Sequence, residues 1–316
     1  MEKWQLQQLQ GLPLEAKIRK TQERIKEWYE HWDGQVYVSF SGGKDSTVLL
    51  HIAREIYPDI EAVFIDTGLE YPEIRDFVKT FNNVTLLRPK MNFKEVIEKY
   101  GYPIISKEVA DCIQGARKGQ IYRIARLNGE LKDKDGNKSM FNQTKYKFLL
   151  DAPFQVSHYC CNVMKKKPAK SYEKKSNKKP LIATMAEESN LRMQKWLQNG
   201  CNAFESNRPQ SNPIAFWTEQ DILQYTVQYK IPIASCYGEI IEGDQLEGQT
   251  CLDGCMSNLT TSKCKRTGCM FCMFGVHLEK EPNRFQMMKE THPKQYDYCI
   301  NKLGLGRVLD YIGVKY

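Results

Sequence analysis

From Trp4 to Trp32 the apolar positions Trp4, Leu6, Leu9, Leu14, Ile18, Ile25, Trp28 and Trp32 stand among charges at helical spacing, interrupted near Gly11 and Pro13. This predicts an amphipathic helical segment over residues 1–33. Asp33-Gly34 marks a turn, and Gln35–Phe40 is a short β-rich run suited to a buried strand. Helical spacing returns over Thr47–Tyr57 through Val48, Leu49, Ile52 and Ile56. The alternation then repeats: Glu61–Ile65 and Val84–Leu87 read as strands, Tyr71–Phe81 and Phe93–Tyr100 as helices. Such alternation implies right-handed crossovers and a mainly parallel twisted sheet with helices on both faces, an α/β fold. Pro180–Thr184 reads as a further strand, followed by a helix through Trp196.

Between about residues 104 and 156 the pattern loosens into a helix and a hairpin around Lys132–Lys138. The domain reading is therefore a helical segment at 1–33, an α/β domain at 34–235 with an insertion at about 104–156, and a Cys-rich, loop-rich region at 236–316, expected to be held by metal more than by a core. There is no internal repeat.

A chain of 316 residues with 41% hydrophobic content can bury a substantial core. No apolar run approaches the length of a bilayer-spanning helix, and the polar start lacks a signal peptide's apolar stretch, so no membrane association and a cytoplasmic location are expected. A net charge of +8 favours a polyanionic partner, its densest patch running from Lys165 through Lys170 to Lys179. A nucleic-acid acceptor is compatible with that charge, although a lysine run is more often a solvated face. In such a chain the eleven cysteines point to thiolate chemistry or metal ligation rather than disulfides.

Ser41-Gly42-Gly43-Lys44-Asp45-Ser46 lies between the first strand and its helix, the context of a phosphate cradle. The glycines let backbone N–H groups approach an anion and the helix N-terminus adds its dipole. Lys44 places charge against phosphate oxygens, Ser41 and Ser46 offer hydroxyls, and Asp45 is suited to Mg²⁺ bridging the phosphates. Asp66-Thr67-Gly68 falls at the carboxyl end of the second strand, where open α/β sheets bind ligands.

The hexapeptide resembles the loop of the PP-loop ATP pyrophosphatase superfamily. Asp66–Glu73 and Asn212–Trp217, followed by the Asp221–Tyr229 helix and Ile231-Pro232, resemble motifs of the phosphoadenosine phosphosulfate (PAPS) reductase family within it. The resemblance covers about residues 34–275. It implies an adenine-nucleotide site made by Ser39, Ser41 to Ser46, Asp66, Thr67, Gly68, Glu188 and Ser189, with Lys44, Asp45 and Arg192 carrying the chemistry. Glu188-Ser189-x-x-Arg192 is similar to the family's Glu-Ser-x-x-Arg motif, with Arg192 placed to meet an anion. The Gly-x-Arg that precedes it in the family is here Ala183 and Met185.

Cys160-Cys161 with Cys269-x-x-Cys272 is similar to the [4Fe–4S] ligand set of the family's iron–sulfur branch. Adjacent cysteines suit two metals of a cluster better than one tetrahedral ion, with structural zinc and a redox dithiol as the other readings. Cys251 and Cys255 with Cys269 and Cys272 would resemble a zinc ribbon, and Cys264 with the latter two has ferredoxin-like spacing.

The resemblance implies two enzymatic readings. One is ATP-dependent adenylation of an acceptor followed by sulfur transfer, for which the intact Gly-Gly-Lys-Asp loop is appropriate. The other is reduction of APS or PAPS to sulfite, which in the family uses a cysteine in a C-terminal Glu-Cys-Gly-(Ile/Leu)-His motif; the remaining candidate, Cys299, is a poor stand-in. Either would need a sulfur donor or reductant protein. A non-catalytic nucleotide or redox sensor is the third reading.

Overall fold

In the computed structural model of the chain, which describes residues 1–243 and 258–316, the elements follow in order. They are α1 (Lys3–Gln10), α2 (Leu14–His31), β1 (Val36–Ser39), α3 (Lys44–Ile56), β2 (Ala62–Ile65), α4 (Pro72–Lys79), β3 (Val84–Leu87), α5 (Phe93–Tyr100), β4 (Ile104–Ile105), α6 (Lys107–Arg117) and α7 (Ile121–Asn128). There follow α8 (Lys167–Ser176), β5 (Lys179–Ile182), α9 (Asn190–Asn199), β6 (Asn202–Ala203), β7 (Gln210–Ser211), α10 (Glu219–Gln228), β8 (Ile240–Glu242), β9 (Leu259–Thr261), β10 (Met273–Phe274), α11 (Arg284–Thr291), α12 (Pro293–Asp297) and α13 (Leu305–Tyr311). No helix among the described residues is long and apolar enough to cross a membrane.

The chain divides into two compact units that interleave along the sequence. The first holds Met1–Asp66, Glu70–Leu87 and Ala169–Thr267; the second holds Thr67–Leu69, Arg88–Pro168 and Gly268–Tyr316. The 104–156 segment thus lies wholly in the second unit, and the 236–316 segment contributes to both.

The first unit carries the main sheet, in the order β3-β2-β1-β5-β7-β6. All its neighbours pair parallel except β6 with β7. β1 is apolar and covered on both faces, as a central parallel strand must be: Val36, Tyr37 and Val38 are buried. After β3 the chain returns to the other side of β1 as β5, so the order reverses between β1 and β5. Open α/β sheets bind ligands outside the carboxyl ends of the strands at such a reversal. α2 supplies Ile25 and Trp28 to the core, both fully buried, beside Val48, Leu49 and Ile52 of α3 and Trp217. One turn apart on α2, Lys17 and Thr21 are buried: Lys17 pairs with Asp221 at 2.7 Å, and Thr21 accepts a hydrogen bond from Trp217 Nε1 at 2.9 Å.

In the second unit β4 pairs parallel with β10, Ile104 opposite Met273. The insertion is the expected helix, here α6 and α7, followed by a bridge between Lys132 and Lys138. Arg117 ties it together, donating to the carbonyls of Leu149, Leu150, Ala152 and Phe154. The expectation of a loop-rich end is corrected here. Arg284–Tyr311 is largely helical and buries Phe285, Met288, Cys299, Leu305, Val308 and Leu309, a core of its own. The short helices and the π-turn at Tyr298–Lys302 break the apolar period over too few residues for spacing to reveal it.

Candidate functional site

The loop at 41–46 leaves the carboxyl end of β1 and enters α3 with Gly43 as N-cap, its helix end closed by no side chain of its own. Gly42 sits at φ +70°, and a Cβ there would approach methyl carbons of Ile74 and Val78 on α4 to 2.8 Å. Gly42→Ala is expected to cost about 1–3 kcal/mol, from the left-handed backbone and the overlap, and to weaken nucleotide binding. A chemical denaturation curve superimposable on that of the parent would contradict this.

The loop is braced from within. Ser46 Oγ donates to the Gly43 carbonyl at 2.9 Å and lies 2.9 Å from Ser41 Oγ, and the Ser41 N–H donates to Ser46 Oγ at 3.1 Å. Ser46 therefore shapes the turn, while Ser41 stands nearer its open side. Tyr237 reaches in from the chain after α10: its hydroxyl accepts from the Lys44 N–H at 3.2 Å and meets Thr267 Oγ1 at 2.7 Å. Burial pushes the Tyr237 phenol well above its usual range, so it stays a neutral hydrogen-bonding group.

Lys44 is 3% exposed, and its ammonium stands 3.3 Å from Asp45 and 3.1 Å from Glu219 at the start of α10. Asp45 Oδ1 is buried without a hydrogen bond. Its charge partner is the Lys44 ammonium, and a carboxylate oxygen of this kind is also the type of ligand that a hard divalent cation takes. On the neighbouring strand Asp66 follows β2 and accepts from Arg75 of α4 at 3.1 Å. Thr67 and Gly68 belong to the second unit, where Thr67 Oγ1 caps the N–H of Leu69.

The Glu188-Ser189-x-x-Arg192 segment is a helix start. Ser189 caps α9 by accepting from the Arg192 N–H, Glu188 accepts from the Met185 N–H at 3.0 Å, and Glu188 and Arg192 form an ion pair. Burial draws the Arg192 guanidinium below its usual range, with Arg266 acting the same way and Asp45 opposing, which puts Arg192 within electrostatic reach of the loop. Burial, with Glu219 and Asp221 nearby, holds the Glu187 carboxyl above its usual range. Ser39, Ser41 to Ser46, Asp66, Glu188, Ser189 and Arg192 are thus all in the first unit. Glu219, Tyr237, Arg266 and Thr267 are the loop neighbours that sequence reasoning did not assign. Arg266-Thr267 was visible only as the flank of Cys269, and Tyr237 carries no local signal.

In the second unit Cys160 is buried, and Cys161, Cys269 and Cys272 are half-buried. Burial pushes the Cys160 thiol up, and Cys161, Cys269 and Cys272 add to this while Lys165 opposes. Cys272 is raised by burial and by Cys161, against Arg284 and Lys165. The four thiols therefore lie within electrostatic reach of one another, with cations beside them, although among the described residues no three His, Cys, Asp or Glu side chains converge on one ion position. Cys264 sits in the first unit, its N–H donating to the Cys236 carbonyl at 3.2 Å, while Cys251 and Cys255 lie outside the described residues. His277 faces the hydroxyl of Tyr146 at 3.3 Å. Cys299 is fully buried, its thiol pushed up to about 12 by burial, unsuited to nucleophilic attack.

The family described as phosphoadenosine phosphosulfate reductase domain matches residues 35–141 and 122–274, more than half of the chain. The chain belongs to this family. A PAPS reductase of Proteus mirabilis is 30% identical over 112 residues, 35% of this chain and 46% of that protein. An uncharacterised protein of Methanocaldococcus jannaschii is 42% identical over 98 residues, 28% of this chain and 24% of its own length. An APS reductase of Staphylococcus epidermidis is 24% identical over 107 residues, 32% of this chain and 44% of that protein. The chain spans between about a quarter and a half of the length of these curated relatives. The crystal structure of a PAPS reductase from Candida auris in a phosphate complex aligns over 74% of this chain and 90% of that one, at 16% identity and a TM-score of 0.39. The 41–46 loop, Asp66–Glu73, Glu188–Arg192 and Asn212–Trp217 of this chain lie within the residues that the family model matches.

Proposed function

We propose that the chain binds ATP at the 41–46 loop and activates an acceptor by adenylation, so that a sulfur nucleophile can then replace the adenylate. In the first step an acceptor oxygen attacks the α-phosphorus and the α–β bridging bond breaks, its electron pair leaving with pyrophosphate. In the second, sulfur bonds to the acceptor and AMP departs. The observation that carries this reading is the buried Lys44 between Asp45 and Glu219, its ammonium 3.3 Å from Asp45 Oδ1, a buried oxygen with no hydrogen bond, so that a cation and a carboxylate stand at one helix N-terminus. Mg²⁺ when bound would offset charge on the departing pyrophosphate. Lys44 would do the same from the protein side, and the Tyr237 hydroxyl holds its backbone in place.

Cys160, Cys161, Cys269 and Cys272 would hold a [4Fe–4S] cluster, which supplies redox or sulfur-carrying chemistry when bound. A cubane takes one thiolate at each of four corners and gains from nearby cations; the mutual electrostatic influence of these thiols, with Lys165 and Arg284 beside them, supports this reading.

The test has two readouts. Anaerobically purified protein is expected to be brown, with a broad absorbance near about 400 nm that Cys160→Ser removes. With Mg²⁺ and ATP it is expected to release pyrophosphate in the presence of acceptor. APS-dependent sulfite formation without ATP would replace this reading with the reductase one, and ATP binding with neither product would leave a sensor.

A further inference from the structure

A cavity opens on the carboxyl edge of the main sheet, on the far side of β5 from the loop. It has a volume of about 720 Å³ and is walled by the ends of β5 and β7 and by α9. That volume lies within the roughly 300–1,000 Å³ that ligand pockets occupy. Its lining mixes apolar side chains such as Ile182, Met185 and Trp196 with amides and cations, and includes no carboxylate among the described residues. Gln198, Asn207 and Gln210 present side-chain amides with no hydrogen-bond partner among the described residues, and Lys195 brings a cation with no ion pair there. Arg192 lines the same cavity while lying in electrostatic reach of Asp45, which links it to the loop.

The cavity is also joined to the lysine run. Arg208 in its wall donates from Nε and Nη2 to the two oxygens of Glu173 on α8, at 2.9 and 2.5 Å, and Tyr37 donates to the same carboxylate at 2.8 Å. Glu173 thereby pins α8 beside the cavity. Lys170, Lys174 and Lys175 on that helix are exposed and make no ion pair among the described residues. Lys170 and Lys174 are four residues apart, hence neighbours about 5–6 Å apart on one helix face. Lys178 and Lys179, by contrast, are occupied, by Glu61 at 2.6 Å and by the ring of Trp32.

We infer that this surface takes single-stranded nucleic acid, with phosphates along Lys170, Lys174 and Lys175 and an unpaired base inserted among the amides of Gln198, Asn207 and Gln210. Amides offer both donor and acceptor and match the edges of a heterocycle, whereas lysines neutralise the backbone without reading it. A polyanion without bases would leave the amides unbonded, and a duplex keeps its bases stacked within the helix, out of reach of such a cavity. The polymer would be the acceptor of the proposed activation, a role that rests on that reading; the binding surface itself does not.

The experiment is fluorescence anisotropy of a short labelled single-stranded RNA without ATP, with duplex RNA and heparin as competitors and circular dichroism as the folding control. Binding is expected to fall with salt, and the combined Lys170→Ala, Lys174→Ala and Lys175→Ala variant to lower the log–log slope by about 2, at roughly 0.7 per phosphate contact. Gln198→Leu with Gln210→Leu is expected to weaken binding roughly tenfold or more with the slope unchanged. Absence of binding at low salt overturns the inference. So does equal affinity for heparin or duplex with the amide variant indistinguishable from the parent. ATP affinity is measured on the same samples: its absence with RNA binding retained defeats only the activation reading, and the reverse defeats only this surface.

Discussion

Lys44→Ala is expected to abolish ATP-dependent pyrophosphate release, lowering the rate by about 10²–10³-fold, the usual cost of removing one preorganised group that stabilises developing negative charge. The substitution removes the positive charge nearest the loop and leaves Asp45 and Glu219 facing one another without the ammonium that lies 3.3 and 3.1 Å from them. Lys44→Arg is not expected to rescue the rate. The ammonium occupies a 3% exposed slot between two carboxylates and beneath Tyr237, 6.0 Å from its ring centroid, and a planar fork has no room there. Glu219→Gln tests the same geometry from the other side, since it keeps the shape and removes one of the two partners. A Lys44→Ala protein that retained the parent rate with Mg²⁺ would sink the catalytic assignment.

Lys17→Met is expected to destabilise the first unit by about 3–5 kcal/mol, because it strands the buried Asp221 carboxylate without its counterion. Asp221 also accepts from the Thr218 N–H at 2.6 Å, completing the capping box of α10, the helix that delivers Glu219 to Lys44. The loss should therefore be felt at the loop as well as in the core. The double variant Lys17→Met with Asp221→Leu is expected to recover much of the stability, short of the cap's contribution of about 1 kcal/mol. Denaturant titration followed by tryptophan fluorescence reads this directly, since Trp28 and Trp217 lie in the same core. Equal stability of single variant and parent would mean that the pair contributes nothing.

The strand-and-helix alternation from Val36 to Leu87 was legible in the sequence because a parallel strand buried on both faces must be short and apolar, and its crossover helix must be amphipathic. The 41–46 loop was legible for the same local reason: glycine at a left-handed turn, lysine and serine at a helix start. The Cys-Cys and Cys-x-x-Cys pairs announced themselves by spacing, about a hundred residues apart, and both fall in one compact unit. Lys17 and Thr21 read only as polar positions of a helix, since nothing near them in the chain reveals Asp221 or Trp217.

By itself, then, the order of residues determined the α/β class and the Gly-Gly turn between β1 and α3, and it singled out the Cys-Cys and Cys-x-x-Cys pairs as candidates, all features encoded by neighbours a few positions apart. Only tertiary structure decided that Glu219 and Tyr237 close on Lys44, with Thr267 on the Tyr237 hydroxyl, that the second unit draws on three separate stretches of chain, and that the 284–311 segment has a helical core. Those outcomes depend on which distant surfaces bury one another, and burial is a property of the folded whole that no local window contains.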